Sequence, residues 1–181
     1  MSTVTDTIEV HVPVRTAYDQ WTQFESFPQF MSGVESIRQL DDRRTHWVTK
    51  IAGVRREFDA EITEQRPDQR IAWRSTSGES KHAGVVSFQP LDEQNTRVTV
   101  ELDWQPEGIV EKAGSAVGID ERQVKADTKR FKEFIEQRGG ATGEWRSEVP
   151  GSSGTTRTPG ATGTPGTPRP PGVPRRPDVG R

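Results

Sequence analysis

Few side chains in this sequence have the types and spacings that do chemistry. The histidines, His11, His46 and His82, lie far apart, and none pairs with another in the H-x-x-x-H manner that brings two imidazoles to one metal. No metal site is therefore expected. The chain has no Cys, which excludes thiol chemistry and disulfides and leaves the redox compartment open. "SGES" and "RGGATG" are not phosphate-cradling loops, and G-x-S-x-G is absent. No cofactor is expected. The remaining catalytic candidate is Glu61, in "REFDAEITEQ". A carboxylate facing a dry cavity has a raised pKa and can serve as a general base or bond a ligand. Which way it faces is open at this level. Phe58, Ala60 and Ile62 alternate with Asp59, Glu61 and Thr63, and burial favours the apolar set inward.

The elements that must position such groups follow from periodicity. "DTIEVHV" alternates as a strand, and "VRTAYDQWTQF" places Val14, Ala17, Tyr18 and Trp21 at helical spacing. Phe27-Pro28 is expected to break that helix, with Pro28 opening a second short one that ends at Gly33. Six strands follow: "VESIRQL", "THWVTKIA", "REFDAEITEQ", "RIAWRST", "AGVVSFQPL" and "TRVTVELDWQP". Their connections are short, so an antiparallel meander is expected. A long helical segment starts after Pro106 and Gly108 and loosens near Gly114 and Gly118. Val124, Thr128, Phe131 and Ile135 then form one apolar face, and Gly139-Gly140 ends the helix. Trp145, beyond that end, is expected to pack back on the sheet edge or the helix.

Composition splits the chain in two. From Pro150 to Arg181 there are eight Pro and seven Gly, with five Arg against one Asp, a net charge of +4. Residues 150–181 therefore read as a disordered Pro/Gly/Thr/Arg-rich tail, and residues 1–149 as one domain. The whole chain carries −2, which leaves the domain at about −6, so nucleic acid is not expected as its partner. The tail reads first as a spacer, although "PRPPGVPRRP" has the character of a proline-recognition ligand and offers a site for a protein partner. The N-terminus lacks a basic segment followed by an apolar run, and no stretch reaches the ~20 apolar residues of a membrane helix. The expected location is cytoplasmic.

The order of strand, two short helices, six-stranded meander and long helix implies a curved sheet whose concave face the last helix covers. Three stretches carry a family resemblance: "IEVHVPVRTAYDQWTQFESFPQFMSGVESI", "EFDAEITEQRPDQRIAWRSTSG" and "DTKRFKEFIEQRGGATGEWRSEV". Over about residues 3–149 the chain resembles the START-like (SRPBCC) superfamily, in its polyketide cyclase/dehydrase and coenzyme-Q-binding branch. The last stretch is similar to the ending of actinobacterial members. The resemblance implies an α+β helix-grip fold: a seven-stranded curved antiparallel sheet wrapped around a long C-terminal helix, with two short helices after strand 1. It also implies a cavity, with Phe27 as a lid aromatic. The Trp–Ser–Arg ladder of the cyclases would fall near Glu61, Thr63 and Gln65. Its Trp and Arg are missing here, and a fixed cation for a developing enolate is a large part of such catalysis.

The reading therefore leans away from an enzyme. It favours binding or carrying of a hydrophobic small molecule (lipid, quinone or polyketide-like) between sheet and helix. The expected cavity wall is Phe27, Phe30, Trp47, Trp73, Trp104, Val124, Thr128 and Phe131. Taken singly, Trp47, Trp73 and Trp104, like Phe58 and Phe88, read first as plain core. The alternatives are a polyketide cyclase/dehydrase-like enzyme using Glu61, and a non-catalytic interaction module tethered by its tail.

Overall fold

The computed structural model describes residues 2–78, 80–106 and 121–150. Seven strands follow in chain order: β1 (Ser2–Val10), β2 (Val34–Gln39), β3 (Arg44–Ile51), β4 (Val54–Arg66), β5 (Arg70–Gly78), β6 (Ser80–Pro90) and β7 (Thr96–Pro106). Helix α1 (Val14–Trp21) and a 3-10 helix (Phe24–Gln29) stand between β1 and β2, and α2 (Glu121–Arg138) follows β7. The strands form one antiparallel sheet in the order β1-β7-β6-β5-β4-β3-β2. The meander is as expected, and the first strand closes onto the last, with Ser2 opposite Trp104 and Val10 opposite Thr96.

Local chemistry sets the register. The β3–β4 hairpin turns on two residues, Ala52 and Gly53, both with positive φ (50° and 81°). That pair matches the twist of the flanking strands. In β4, register shifts against β5 fall between Asp59 and Ala60 and between Ile62 and Glu64. Such bulges bend a strand and increase its twist, and the sheet curls here. Phe58, Ala60 and Ile62 all point inward and are at most 2% exposed. After the second shift Gln65 is the buried residue.

Two boundaries differ from the sequence reading. Helix α1 ends at Trp21, earlier than Phe27-Pro28, because the Thr22 N–H bonds to the carbonyls of both Tyr18 and Asp19 and tightens the last turn. Pro28 then lies inside the 3-10 helix and does not open a new one. The helical reading around Gly114 and Gly118, and the tail beyond Pro150, fall outside the described residues. No described helix is long and apolar enough to cross a membrane.

Helix α2 buries Val124, Thr128, Phe131 and Ile135, as its spacing requires. It is tied along β1: Thr128 donates to Asp6, Lys132 Nζ donates to the Glu9 carbonyl at 2.6 Å, and the His11 N–H donates to Glu136 at 2.8 Å. The segment after α2 crosses the opposite end of the sheet. The Trp145 N–H donates to Thr22 Oγ1 at 3.0 Å, and the Trp145 carbonyl accepts from Gln65 at 2.9 Å. Arg146 bridges Asp19 at 2.5 Å and Asp68 at 2.7 Å. Trp145 is thus held at an element junction through its backbone.

Gly84 is demanded by Trp73, its cross-strand partner. A Cβ at position 84 would lie 2.3 Å from a carbon of the Trp73 ring. Gly84→Ala should therefore destabilise the protein by about 1–3 kcal/mol through overpacking. Gly140→Ala, where nothing lies within 4 Å, should be close to neutral. Urea denaturation of the two variants checks the contrast.

Candidate ligand-binding site

The concave face presents one large ring from each of five neighbouring strands: Trp47 on β3, Phe58 on β4, Trp73 on β5, His82 on β6 and Trp104 on β7. Trp47 stacks on Phe58 and on Trp73, each at 5.7 Å between ring centroids. Ala60, with no side chain beyond Cβ, leaves room on β4 for the two indoles to meet. His82 lies 5.5–5.7 Å from the rings of Phe58, Trp104 and Trp47.

The 3-10 helix explains why the chain breaks into short pieces after β1. At three residues per turn, side chains three apart eclipse one another. Phe24, Phe27 and Phe30 therefore project together, and all are buried. Phe27 meets Trp47 at 6.0 Å and Trp73 at 6.3 Å, Phe24 meets Trp73 at 5.9 Å, and Phe30 meets Phe131 of α2 at 5.2 Å. A continuous α-helix would spread these rings around its circumference.

The space left over is small. A cavity of about 30 Å³ lies between Met31, Gly33, Val34, Trp47, Thr49, Ile51, His82, Leu102, Trp104 and the Gln123, Val124 and Asp127 side of α2. A second space of about 10 Å³ adjoins it under Phe30, Val100, Val124 and Thr128. These hold a water or two, far below the roughly 300 Å³ of a small-ligand pocket. An open cleft of about 310 Å³ begins where β5 and β6 part beyond the Arg74–Ala83 pair, lined by Ser75, Lys81, His82, Asp103 and Trp104 among others. His82 and Trp104 line both the enclosed cavity and the open cleft.

The polar groups here are few. His82 is 7% exposed, and burial pushes its pKa down to about 4, so its ring is neutral. Its Nδ1 accepts a long 3.4 Å bond from Trp73 Nε1, which places the ring proton on Nε2. Asp127 accepts from the Ser32 N–H at 3.1 Å and Ser32 Oγ at 2.9 Å, with Arg130 at 3.1 Å. Burial holds its carboxyl above the usual range. The Arg56 guanidinium lies 5.8 Å from the centroid of the Trp104 ring. No group of three or more potential metal ligands stands together among the described residues.

A family model described as polyketide cyclase / dehydrase and lipid transport matches residues 10–133. The chain belongs to this family. A Streptomyces lincolnensis relative, the uncharacterized 17.2 kDa protein in the melC2-rnhH intergenic region, is 57% identical over 149 residues, 82% of this chain and 99% of the relative. A Deinococcus radiodurans crystal structure is similar at 27% identity and a TM-score of 0.64, covering 76% of this chain and 99% of that one. The Zhui aromatase/cyclase from a Streptomyces species shares the fold at 14% identity and a TM-score of 0.61, over 80% and 99% of the two chains. A START superfamily protein from Mycobacterium smegmatis does so at 19% and 0.60, over 75% and 95%. The family and the curled half-barrel with its C-terminal helix establish the START-like helix-grip fold.

Within this polyketide cyclase/dehydrase family member, the expected wall residues separate into two sets. Trp47, Trp104 and Val124 line the larger cavity, and Phe30, Val124 and Thr128 line the smaller. Phe27, Trp73 and Phe131 pack against those rings within the core. Glu61 stands on the outer face, 35% exposed and 3.9 Å from Arg74. It points away from the cavity, because the bulge that reverses the facing of β4 lies beyond it. Gln65, where the family's Arg would fall, faces inward but is bonded to the C-terminal segment.

Three contributors escaped the sequence reading. Phe24 was signalled by the F-x-x-F-x-x-F spacing of period three. Arg56 is in phase with Phe58, Ala60 and Ile62, so alternation alone puts it on the inward face. His82 alternates with Gly84 and Val86 in the same way.

In the unfolded chain His82 titrates near 6.5, and in the folded protein near 4. Between those values the unfolded chain binds a proton that the folded one does not. Stability from this group is thus complete above about pH 6.5 and falls by about 1.4 kcal/mol per pH unit down to about pH 4. Asp127 and Asp19, whose carboxyls are held up by burial, act in the opposite sense. The difference between wild type and His82→Gln isolates the histidine. The variant's stability should fall less steeply over this window, as measured by urea denaturation at a series of pH values.

Proposed function

We propose that this protein binds or carries a hydrophobic small molecule between the concave sheet face and α2, with the 3-10 helix as the lid. The observation that supports this is the seating of Phe24 and Phe27 directly on the tryptophan wall, with Phe30 against Phe131 of α2, beside an incompletely filled space that reaches α2. A ligand would displace the lid rings and replace ring-on-ring contacts with ring-on-ligand contacts. Burying roughly 300 Å² of apolar ligand surface offers about 7 kcal/mol, from which association and lid opening subtract. Native mass spectrometry of the full chain from its own host, with organic extraction, tests this. An extra mass that extracts into solvent is expected. Val124→Phe, which fills the cavity from α2, should remove that mass while the protein stays folded. A clean unliganded mass, with no thermal shift from hydrophobic compounds, would overturn the reading.

A cyclase/dehydrase-like activity on a polyketide is the second reading. The family description supports it, as does the placement of Arg56 and neutral His82 on the concave face, where the sequence offered no cation. It predicts that His82→Gln abolishes conversion of a poly-β-ketone substrate while leaving its binding within about threefold of wild type. Product analysis by mass spectrometry, alongside a binding titration, checks both halves.

A further inference from the structure

Two hydrogen-bond donors on the concave face have no acceptor among the described residues, and they stand together. Arg56 Nη1 and Trp104 Nε1 are buried and unpartnered. The Arg56 guanidinium lies over the Trp104 ring at 5.8 Å, and the His82 ring lies 5.6 Å from it. With Nδ1 of His82 accepting from Trp73, the ring proton is on Nε2, which can donate. Buried donors left unmet are rare in folded proteins, because each forfeits its bonds to water. Packing alone does not account for two at one place, beside a third ring that can donate.

The charge is equally one-sided. Arg56 makes no ion pair among the described residues. Glu57, its neighbour, points outward and pairs with Arg55 at 2.5 Å. Asp127, the acid that lines the cavity, is already bonded to Ser32 and Arg130, and Asp103, which lines the open cleft beside His82, accepts from Thr3 Oγ1. A guanidinium in a partly buried site favours a negatively charged acceptor over a neutral one. Arg56 sits opposite Thr49, close to the β3–β4 turn, and Thr49 lines the cavity together with Leu102 and Val124.

We infer that Arg56, Trp104 and His82 form a subsite for an anionic oxygen, such as a carboxylate, at one end of an otherwise apolar ligand. This rests on the hydrophobic-ligand reading above and adds the polar group the ligand carries. The apolar body lies against Trp47, Leu102 and Val124. The charged oxygen stays beside Arg56 and the Trp104 ring that it covers, and Trp104 lines both the enclosed cavity and the open cleft.

The test is a titration of the full chain, followed by tryptophan fluorescence and calorimetry, with two matched pairs of probes. Decanoate and decanol form the aliphatic pair; naphthoate and naphthalenemethanol form the aromatic pair. In wild type the carboxylate of at least one pair should bind about tenfold or more tighter than its alcohol. The pair that shows the preference identifies a lipid-like or an aromatic body. Arg56→Met, which keeps the stem on the Trp104 ring, should bring the carboxylate down to the alcohol. Trp104→Phe should weaken the preference, and Arg38→Met, on exposed β2, should leave it intact; circular dichroism confirms that each variant is folded. Equal binding of acid and alcohol in wild type would overturn the subsite and leave the hydrophobic container standing. A preference that survives Arg56→Met would overturn it as well. Binding of none of the four probes would remove both proposals.

Discussion

Everything in this fold depends on covering the concave face of a strongly bent sheet. Seven strands curl through the bulges of β4, and the inner surface they enclose is apolar from Val10 to Trp104. Left open to water it would cost far more than the fold's net stability, at about 25 cal/mol for each Å² exposed. Helix α2 is bound along β1, so it cannot cover the β3–β5 side alone. The tryptophans, and the phenylalanines of the 3-10 helix, fill the rest.

That solution has a consequence for the site. Under the proposed carrier function, the rings that close the core are also the rings a ligand would meet, so structure and function would compete for the same surface. In this state structure prevails, and about 30 Å³ stays free. The lid is suited to yield. It is six residues long, its 3-10 hydrogen bonds have poorer geometry than those of an α-helix, and its three phenylalanines supply most of its anchoring. Displacing it exposes one aromatic surface to another molecule's apolar surface, an exchange that costs little beyond the opening itself.

The polar groups follow a different logic. Glu61 and Arg74 neutralise each other on the outer face, and Arg146 neutralises Asp19 and Asp68 at the far end. Arg56, on the inner face, makes no ion pair among the described residues. The fold thus leaves the unpartnered donors of Arg56 and Trp104 beside the remaining space.

The strands, the final helix and its buried face were legible from periodicity, because alternation and 3.6-residue spacing are local consequences of which side meets the core. The family too was legible, since the order of elements and its turn residues is a one-dimensional record. The reach of the lid was legible only in part: Phe27 and Phe30 drew notice, while period-three spacing from Phe24 marks a 3-10 helix that a search for α-helix overlooks. The facing of Glu61 followed the alternation of Phe58, Ala60 and Ile62, whereas the inward turn of Gln65 was decided by the tertiary structure, because a bulge is a property of two paired strands and leaves no signature in one. The meeting of Arg56, His82 and Trp104 was decided there as well. They come from β4, β6 and β7, and only sheet register brings residues so far apart in sequence to one place. By itself the sequence determined which residues face inward; the curl of the sheet determined which of them share a site.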